Sequence, residues 1–177
     1  MTAEEDRLQE ARECGTPWRK WGPYLRERQW GIARERLHHE CAELADIEYT
    51  QACSCAYEWG EDGLAGICDE QMRLCFAIGL WNGVDPILKE RLGPATESGE
   101  APKDACIYLD NVPTHSYMRA LYKYSDRFDV FVEYAKASAE EILIRITVDN
   151  RGSEPARLHV LPHLWFRNTW HRDPRAE

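Results

Sequence analysis

Several function classes are excluded by what this sequence does not contain. It has no run of about 18 apolar residues, the length a membrane-crossing helix needs, so no membrane partner is expected. Basic residues are in the minority: 22 Lys and Arg against 31 Asp and Glu give a formal charge of −9, and no basic stripe is available to neutralise phosphates. No nucleic-acid partner is expected either. The opening MTAEEDRLQEARE is acidic and polar, the opposite of a signal peptide. Seven cysteines with no export signal point to reduced thiols in a cytoplasmic protein rather than to a disulfide framework. There is no G-x-S-x-G nucleophile elbow and no glycine loop to cradle a phosphate, so neither a serine-hydrolase site nor a nucleotide cofactor is expected.

What remains is a chain of 177 residues with 44% hydrophobic content, enough for one domain with a real core. Thr2 followed by Glu5 has capping-box spacing, and Gly15 stops the pattern, so residues 2–14 read as a short, polar, mobile helix. Thr16–Tyr24 is irregular and aromatic. Arg28–Ala33 is a candidate strand, and residues 35–58 commit to neither helical nor strand period. From Met72 onward the chain reads as β. Leu74, Phe76, Ile78 and Leu80 alternate with Cys75, Ala77, Gly79 and Trp81. Asn82-Gly83 then signals a hairpin, with Ile87–Leu92 as the returning strand. Cys106–Leu109, His115–Tyr124 and Phe128–Tyr134 are further strands. In Glu141–Trp170, Ile142, Ile144, Ile146 and Val148 form the dry face of one strand. Ala156, Leu158 and Val160 alternate with Arg157, His159 and Leu161 in a second, the two forming a hairpin. Pro162 places that second strand at an edge, at a bulge or at its end. The expected fold is mainly β: an antiparallel sandwich over residues 21–177, preceded by a helix and tail over residues 1–20.

Chemistry is sparse. Cys53, Cys55, Cys68 and Cys75 lack the paired knuckle spacing of structural zinc sites, and adjacent His38 and His39 diverge on any regular element, so no metal site is expected. Glu61 and Asp62 are neighbours in a glycine-flanked turn, poorly placed to face each other across a glycosidic bond. No catalytic residue is assigned. The stretch Leu164-Trp165-Phe166-Arg167-Asn168-Thr169-Trp170 sets indoles beside a guanidinium and a carboxamide, the side chains that stack on a sugar ring and hydrogen-bond its hydroxyls. Trp165, Arg167, Asn168 and Trp170, with Trp81 and Asn82, are therefore the candidate sugar-binding residues. The competing reading makes the same rings sandwich core and edge.

A series of motifs in order carries a resemblance. It runs through Trp21-Gly22-Pro23-Tyr24-Leu25-Arg26-Glu27-Arg28-Gln29-Trp30-Gly31, Tyr57–Ile67, Trp81-Asn82-Gly83, Asp85–Leu92, Pro113–Met118 and Phe131–Lys136 to Leu164–Trp170. The set resembles the N-terminal region of bacterial proteins of glycoside hydrolase family 63, the mannosyl-oligosaccharide glucosidase-like enzymes. The resemblance implies a β-sandwich that packs on a catalytic (α/α)6 barrel, which carries the Asp and Glu of an inverting hydrolysis. No residue of this chain matches those carboxylates, so the resemblance implies a chain inactive alone, acting on an oligosaccharide only through a barrel it does not contain. An edge left uncovered by that barrel is expected to promote self-association. Two places depart from the family pattern: the short Ser125-Asp126-Arg127 link after Tyr124, and Cys53 and Cys55 before Tyr57.

Overall fold

A computed structural model describes residues 2–24, 63–86, 88–89, 105–124 and 127–167. The expected strand at 28–33, the undecided stretch 35–58, Glu61, Asp62, Cys53 and Cys55 lie outside the described residues. The described part is mainly β, two antiparallel four-stranded sheets with one short N-terminal helix.

The helix α1 (Ala3–Glu13) begins where its caps predict. The Thr2 hydroxyl accepts from the Glu5 N–H, and the Glu5 carboxylate accepts from the Thr2 N–H at 2.7 Å, closing the capping box. No residue of α1 is buried, yet it is not loose. The Glu4 carboxylate accepts from the Thr114 N–H and hydroxyl, both at 2.8 Å, and from the Ser116 hydroxyl at 3.1 Å. These bonds hold Glu4 below the usual carboxylate range against the opposing effect of burial. The Trp18 indole N–H donates to Glu10 at 3.1 Å. The mobile helix expected from composition is thus pinned by polar contacts, which helical periodicity does not register.

A turn of 3-10 helix (Trp18–Lys20) leads into β1 (Trp21–Gly22). The first sheet continues with β2 (Leu64–Asp69) and β3 (Leu74–Trp81), and the second holds β4 (Ala105–Asn111), β5 (Tyr117–Tyr124), β6 (Phe128–Ser138) and β7 (Glu141–Asn150). The last strand, β8 (His159–Phe166), returns to the first sheet. Strand orders are β1-β2-β3-β8 and β4-β5-β6-β7. The core lies between the sheets. Leu64, Ile78 and Leu80 from one meet Met118, Tyr122, Tyr124, Val130, Val132 and Tyr134 from the other. Each fully buried aliphatic or aromatic side chain here contributes about 1.5–3 kcal/mol. Tyr134 also donates its hydroxyl to the Ala65 carbonyl at 2.6 Å, stitching β6 to a bulge in β2 where Ala65 holds φ 52°.

One expectation is corrected. The strands around Ile142–Val148 and Ala156–Leu161 do not form a hairpin: β7 pairs with β6, β8 pairs with β3, and residues 151–158 cross between the sheets. That connection is too long for a tight turn, and Leu158 drops into the core on the way. After Asn82-Gly83 the chain returns to β3 at one bridge, in which Leu80 and Lys89 exchange backbone hydrogen bonds of 2.7 and 2.9 Å; apart from 88 and 89, the expected strand over 87–92 lies outside the described residues. Pro162 does sit in an edge strand, and β8 runs through it unbroken to Phe166. Arg167 donates its N–H to the Arg73 carbonyl, so odd-numbered residues of β8 turn their peptide groups to β3. The nitrogen of Pro162 therefore faces away from the ladder, where its missing N–H costs nothing. Among the described residues no helix is long and apolar enough to cross a membrane.

Candidate functional site

The β3–β8 ladder places the sequence-derived candidates. Its register sets Cys75 opposite Trp165, Ala77 opposite His163, Gly79 opposite Leu161 and Trp81 opposite His159. Directly opposed residues share a face, and this is the face turned away from the core that Ile78 and Leu80 enter. Residues of β3 here are small, so the large side chains of β8 lie across them. A Cβ on Gly79 would stand 3.0 Å from Cε1 of His163. The Trp81 indole is tilted over the His159 imidazole, centroids 5.2 Å apart. Trp165 packs on Cys68 and Cys75. The result is a row of Trp81, His159, Leu161, His163 and Trp165 along the outer face. Arg167, just beyond β8, continues the same parity. Six residues of strand separate the two ends, roughly 20 Å at the usual rise. Trp81 and Trp165 thus share a face without sharing a pocket.

The two ends differ. At the Trp81 end the indole is 37% exposed, but its N–H donates to the Asp85 carbonyl at 2.8 Å. The Asn82 side-chain oxygen accepts from the N–H groups of Val84 and Asp85 at 2.9 and 2.8 Å. Asn82 is a turn former whose acceptor is spent on its own backbone. Asp85 accepts from the Tyr124 hydroxyl at 2.6 Å, the main reason its carboxyl is held below the usual range. What this end offers a ligand is a ring face and the His159 edge, beside an Asn82 whose oxygen is engaged in its turn. At the other end Trp165 is half-buried over two thiols and serves as a lid more than an open platform. Asn168 and Trp170 lie outside the described residues.

A second feature lies on the open side of the sandwich. β2 lies over β4 and β5, so β7 and β8 are the outer strands of their sheets on the same side. Their core-facing residues are incompletely covered. Ile144 and Val148 of β7 are 41% and 38% exposed, and Leu164 and Phe166 of β8 are 64% and 77% exposed. Leu164 is in register with Phe76, and Ile144 with Tyr134; the Phe76 and Tyr134 rings meet edge-on, centroids 6.0 Å apart. Leu164 and Ile144 therefore flank the same contact from opposite sheets. Sequence periodicity marks all four residues as core-facing, but does not show that nothing in the described chain closes over them.

Among the described residues no group of three His, Cys, Asp or Glu side chains is placed to hold a metal ion. Sequence reasoning missed His159, His163 and the pairing of Cys68 with Cys75. The alternation of His159 with Leu158 and Val160 marked its face, and the missing information was the β3 register.

No family model matches the chain, and no solved structure matches it. It is similar to a protein of Saccharomyces cerevisiae (strain ATCC 204508 / S288c) named "Uncharacterized protein YMR196W", with 36% identity over 217 residues, taking in 96% of this chain and 20% of the relative. The chain thus spans about a fifth of that relative's length. Since 96% of 177 residues is about 170, about 47 of the 217 aligned positions are residues of the relative with no counterpart here.

Proposed function

We propose that this chain is the N-terminal β-sandwich portion of a family-63-like glucosidase, a cytoplasmic protein inactive by itself because the catalytic barrel is a separate part. The observation that carries the reading is the open side of the sandwich. Ile144, Val148, Leu164 and Phe166 form an apolar strip between two edge strands, the kind of surface that is covered in a complete molecule. The much greater length of the yeast relative is consistent with a further domain to cover it. Oligosaccharide would then be met at the barrel, with the sandwich closing one side. The test is an assay of α-glucoside hydrolysis with the purified chain, together with sedimentation. The chain is expected to hydrolyse nothing and to self-associate, and Phe166→Asp is expected to abolish the association while leaving the melting temperature within a degree or two. Hydrolysis abolished by a point change within the chain overturns the proposal, as does a strictly monomeric wild type at high concentration.

A second reading, a free-standing carbohydrate-binding module, is favoured by the half-exposed Trp81 indole at the head of the outer-face row. It requires saturable chemical-shift changes with glucose or mannose oligomers that weaken in Trp81→Ala. No shift with either sugar removes it.

A further inference from the structure

We infer that Cys68 and Cys75 are a reversible thiol–disulfide pair that joins β2 to β3 when the protein meets a peroxide.

The strands bring the two residues together in a specific way. Cys68 and Cys75 are direct partners across the β2–β3 ladder. Such partners come in two kinds, and the backbone hydrogen bonds around them identify which. Arg167 donates its N–H to the Arg73 carbonyl at 2.8 Å, so odd-numbered residues at this end of β3 turn their peptide groups toward β8. Glu70 donates its N–H to the Lys20 carbonyl at 2.8 Å, so even-numbered residues at the matching end of β2 turn theirs toward β1. Cys75 is odd and Cys68 even. Neither directs its peptide groups at the other, and theirs is a non-hydrogen-bonded pair. In that pair Cα atoms stand about 4.5 Å apart and side chains are at their closest. A disulfide spans Cα separations of about 4.4–6.8 Å. Both side chains are on one face, so the bond needs rotation of two side chains and little movement of the strands.

Their surroundings favour the chemistry. The Cys68 thiol hydrogen-bonds Cys75 and is the main cause of a Cys75 pKa below the ordinary thiol value. Burial and the Asp69 carboxylate oppose it, and the Arg167 guanidinium assists. Thiolate is the reactive form, so Cys75 is the attacking sulfur. It attacks one peroxide oxygen and the O–O bond breaks. Hydroxide leaves, takes up a proton to become water, and Cys75 becomes a sulfenic acid. The Cys68 sulfur then attacks the Cys75 sulfur. The S–O bond breaks, the Cys68 proton goes to the departing hydroxide, and the second water forms with the disulfide. Two thiols have lost two electrons and two protons to one hydrogen peroxide. Both sulfurs are fully buried, under Tyr24, Met72 and Trp165. Peroxide would reach the pair by displacement of a covering Tyr24, Met72 or Trp165 side chain. Because Trp165 rests on the pair, the bond would register at the same end of β8 that carries Arg167.

The test is a peptide map of the folded full chain after hydrogen peroxide, quenched by alkylation and digested with trypsin without reduction. Arg73 lies between the two cysteines, so after cleavage their peptides stay joined only through a disulfide. The peptide with Cys68 also carries Cys41, Cys53 and Cys55, so fragmentation of the joined pair and its loss in Cys68→Ala assign the bond. The expected result is that joined pair, formed in native buffer, reversed by dithiothreitol and accompanied by a change in tryptophan fluorescence. In Cys68→Ala, Cys75 is expected to stop at a dimedone-reactive sulfenic acid. Peptides that remain separate in the wild type, with both thiols alkylated or with either over-oxidised alone, overturn the inference. So does a cross-link that appears only after denaturation.

Discussion

Lys136 gives the sharpest quantitative prediction, because it is a buried cation with no acid among its hydrogen-bond partners. Its side chain is 5% exposed at the inner face of β6. Its ammonium donates to the Trp18 carbonyl and, at 2.6 Å, to the Trp21 carbonyl, tying the N-terminal segment to the second sheet. The acids nearest in sequence are engaged elsewhere, Glu133 with Arg145 at 2.8 Å and Glu140 with Lys20 at 2.7 Å. Burial pushes the Lys136 pKa down from the ordinary 10.5 to about 8. In the unfolded chain the ordinary value returns. Between pH 8 and 10.5 the unfolded state therefore binds a proton that the folded state has released, and stability must rise with pH across that window. At about 1.36 kcal/mol per pH unit the full gain is about 3 kcal/mol. That is roughly 6–12 °C in Tm for a chain of this size. In Lys136→Met the gain is absent, while the carbonyls of Trp18 and Trp21 lose their donor.

The assay is urea or thermal unfolding of wild type and Lys136→Met at intervals from pH 7 to 10.5, with reductant present throughout. The quantity to follow is the difference between the two proteins. Tyr117, whose pKa burial raises above the ordinary value, destabilises the fold at the alkaline end in both. Cys75, held low by the Cys68 thiol, adds stability with rising pH in both. Both effects cancel in the difference. The wild type is expected to gain on the variant steadily above pH 8. A flat difference, or one that shrinks, refutes the claim that a desolvated ammonium is bound between those carbonyls.

Other predictions follow from single contacts. Glu133 receives the Arg145 guanidinium at 2.8 and 2.9 Å and the Tyr117 hydroxyl at 2.9 Å, and Arg145 is the main reason its pKa falls to about 2. Its contribution is present above pH 4.5 and is lost as pH falls toward 2, so acid unfolding of Glu133→Gln should be shallower than wild type, with the curves meeting near pH 2. Asn82→Ala removes one acceptor serving two backbone N–H groups and should cost about 1–2 kcal/mol in chemical denaturation; an unchanged midpoint would refute the turn-closing role. Gly22→Ala would place a Cβ 2.7 Å from the His115 ring, which is hydrogen-bonded to Asn111 at 2.9 Å. That overpacking should cost about 1–3 kcal/mol in unfolding free energy.

How much of this was legible depends on the range of the interactions involved. Capping is local, and Thr2, Glu5 and Gly15 marked α1 to within a residue. Alternation is local too, so the faces of β3, β5, β6 and β7 could be read directly from parity. Which strand pairs with which is a long-range property. The stretch Asn150-Arg151-Gly152 announces a turn, since Asn150 accepts from the Gly152 N–H at 3.0 Å, but the same turn serves a hairpin or a crossover. The crossover is set by Arg127, which reaches the Glu154 carbonyl at 2.6 Å, and by Leu158 entering the core. The candidate site divides in the same way. Its residues were visible as types, while the register that aligns Trp81 with His159 and Trp165 with Cys75 was not. The turn-closing role of the Asn82 oxygen was equally invisible, because the N–H groups it accepts from are aligned only in the folded turn.

The first sheet explains why stability and recognition should be separable here. Its inner face carries the large residues Ile78 and Leu80 on β3, whereas its outer face carries small ones, Ala77 and Gly79, beneath the longer side chains of β8. A face built that way is a floor for the side chains above it. Its small residues are fixed by what lies on them, since a Cβ on Gly79 would stand 3.0 Å from the His163 ring. Core packing sets the position of β3, β3 sets β8 by register, and β8 presents the outer-face row and the open apolar side from its two faces. Changes at Trp81 or Phe166 act at the end of that chain and should leave folding intact. Changes at Gly79 act one step earlier and should disturb the row as well as the strand beneath it.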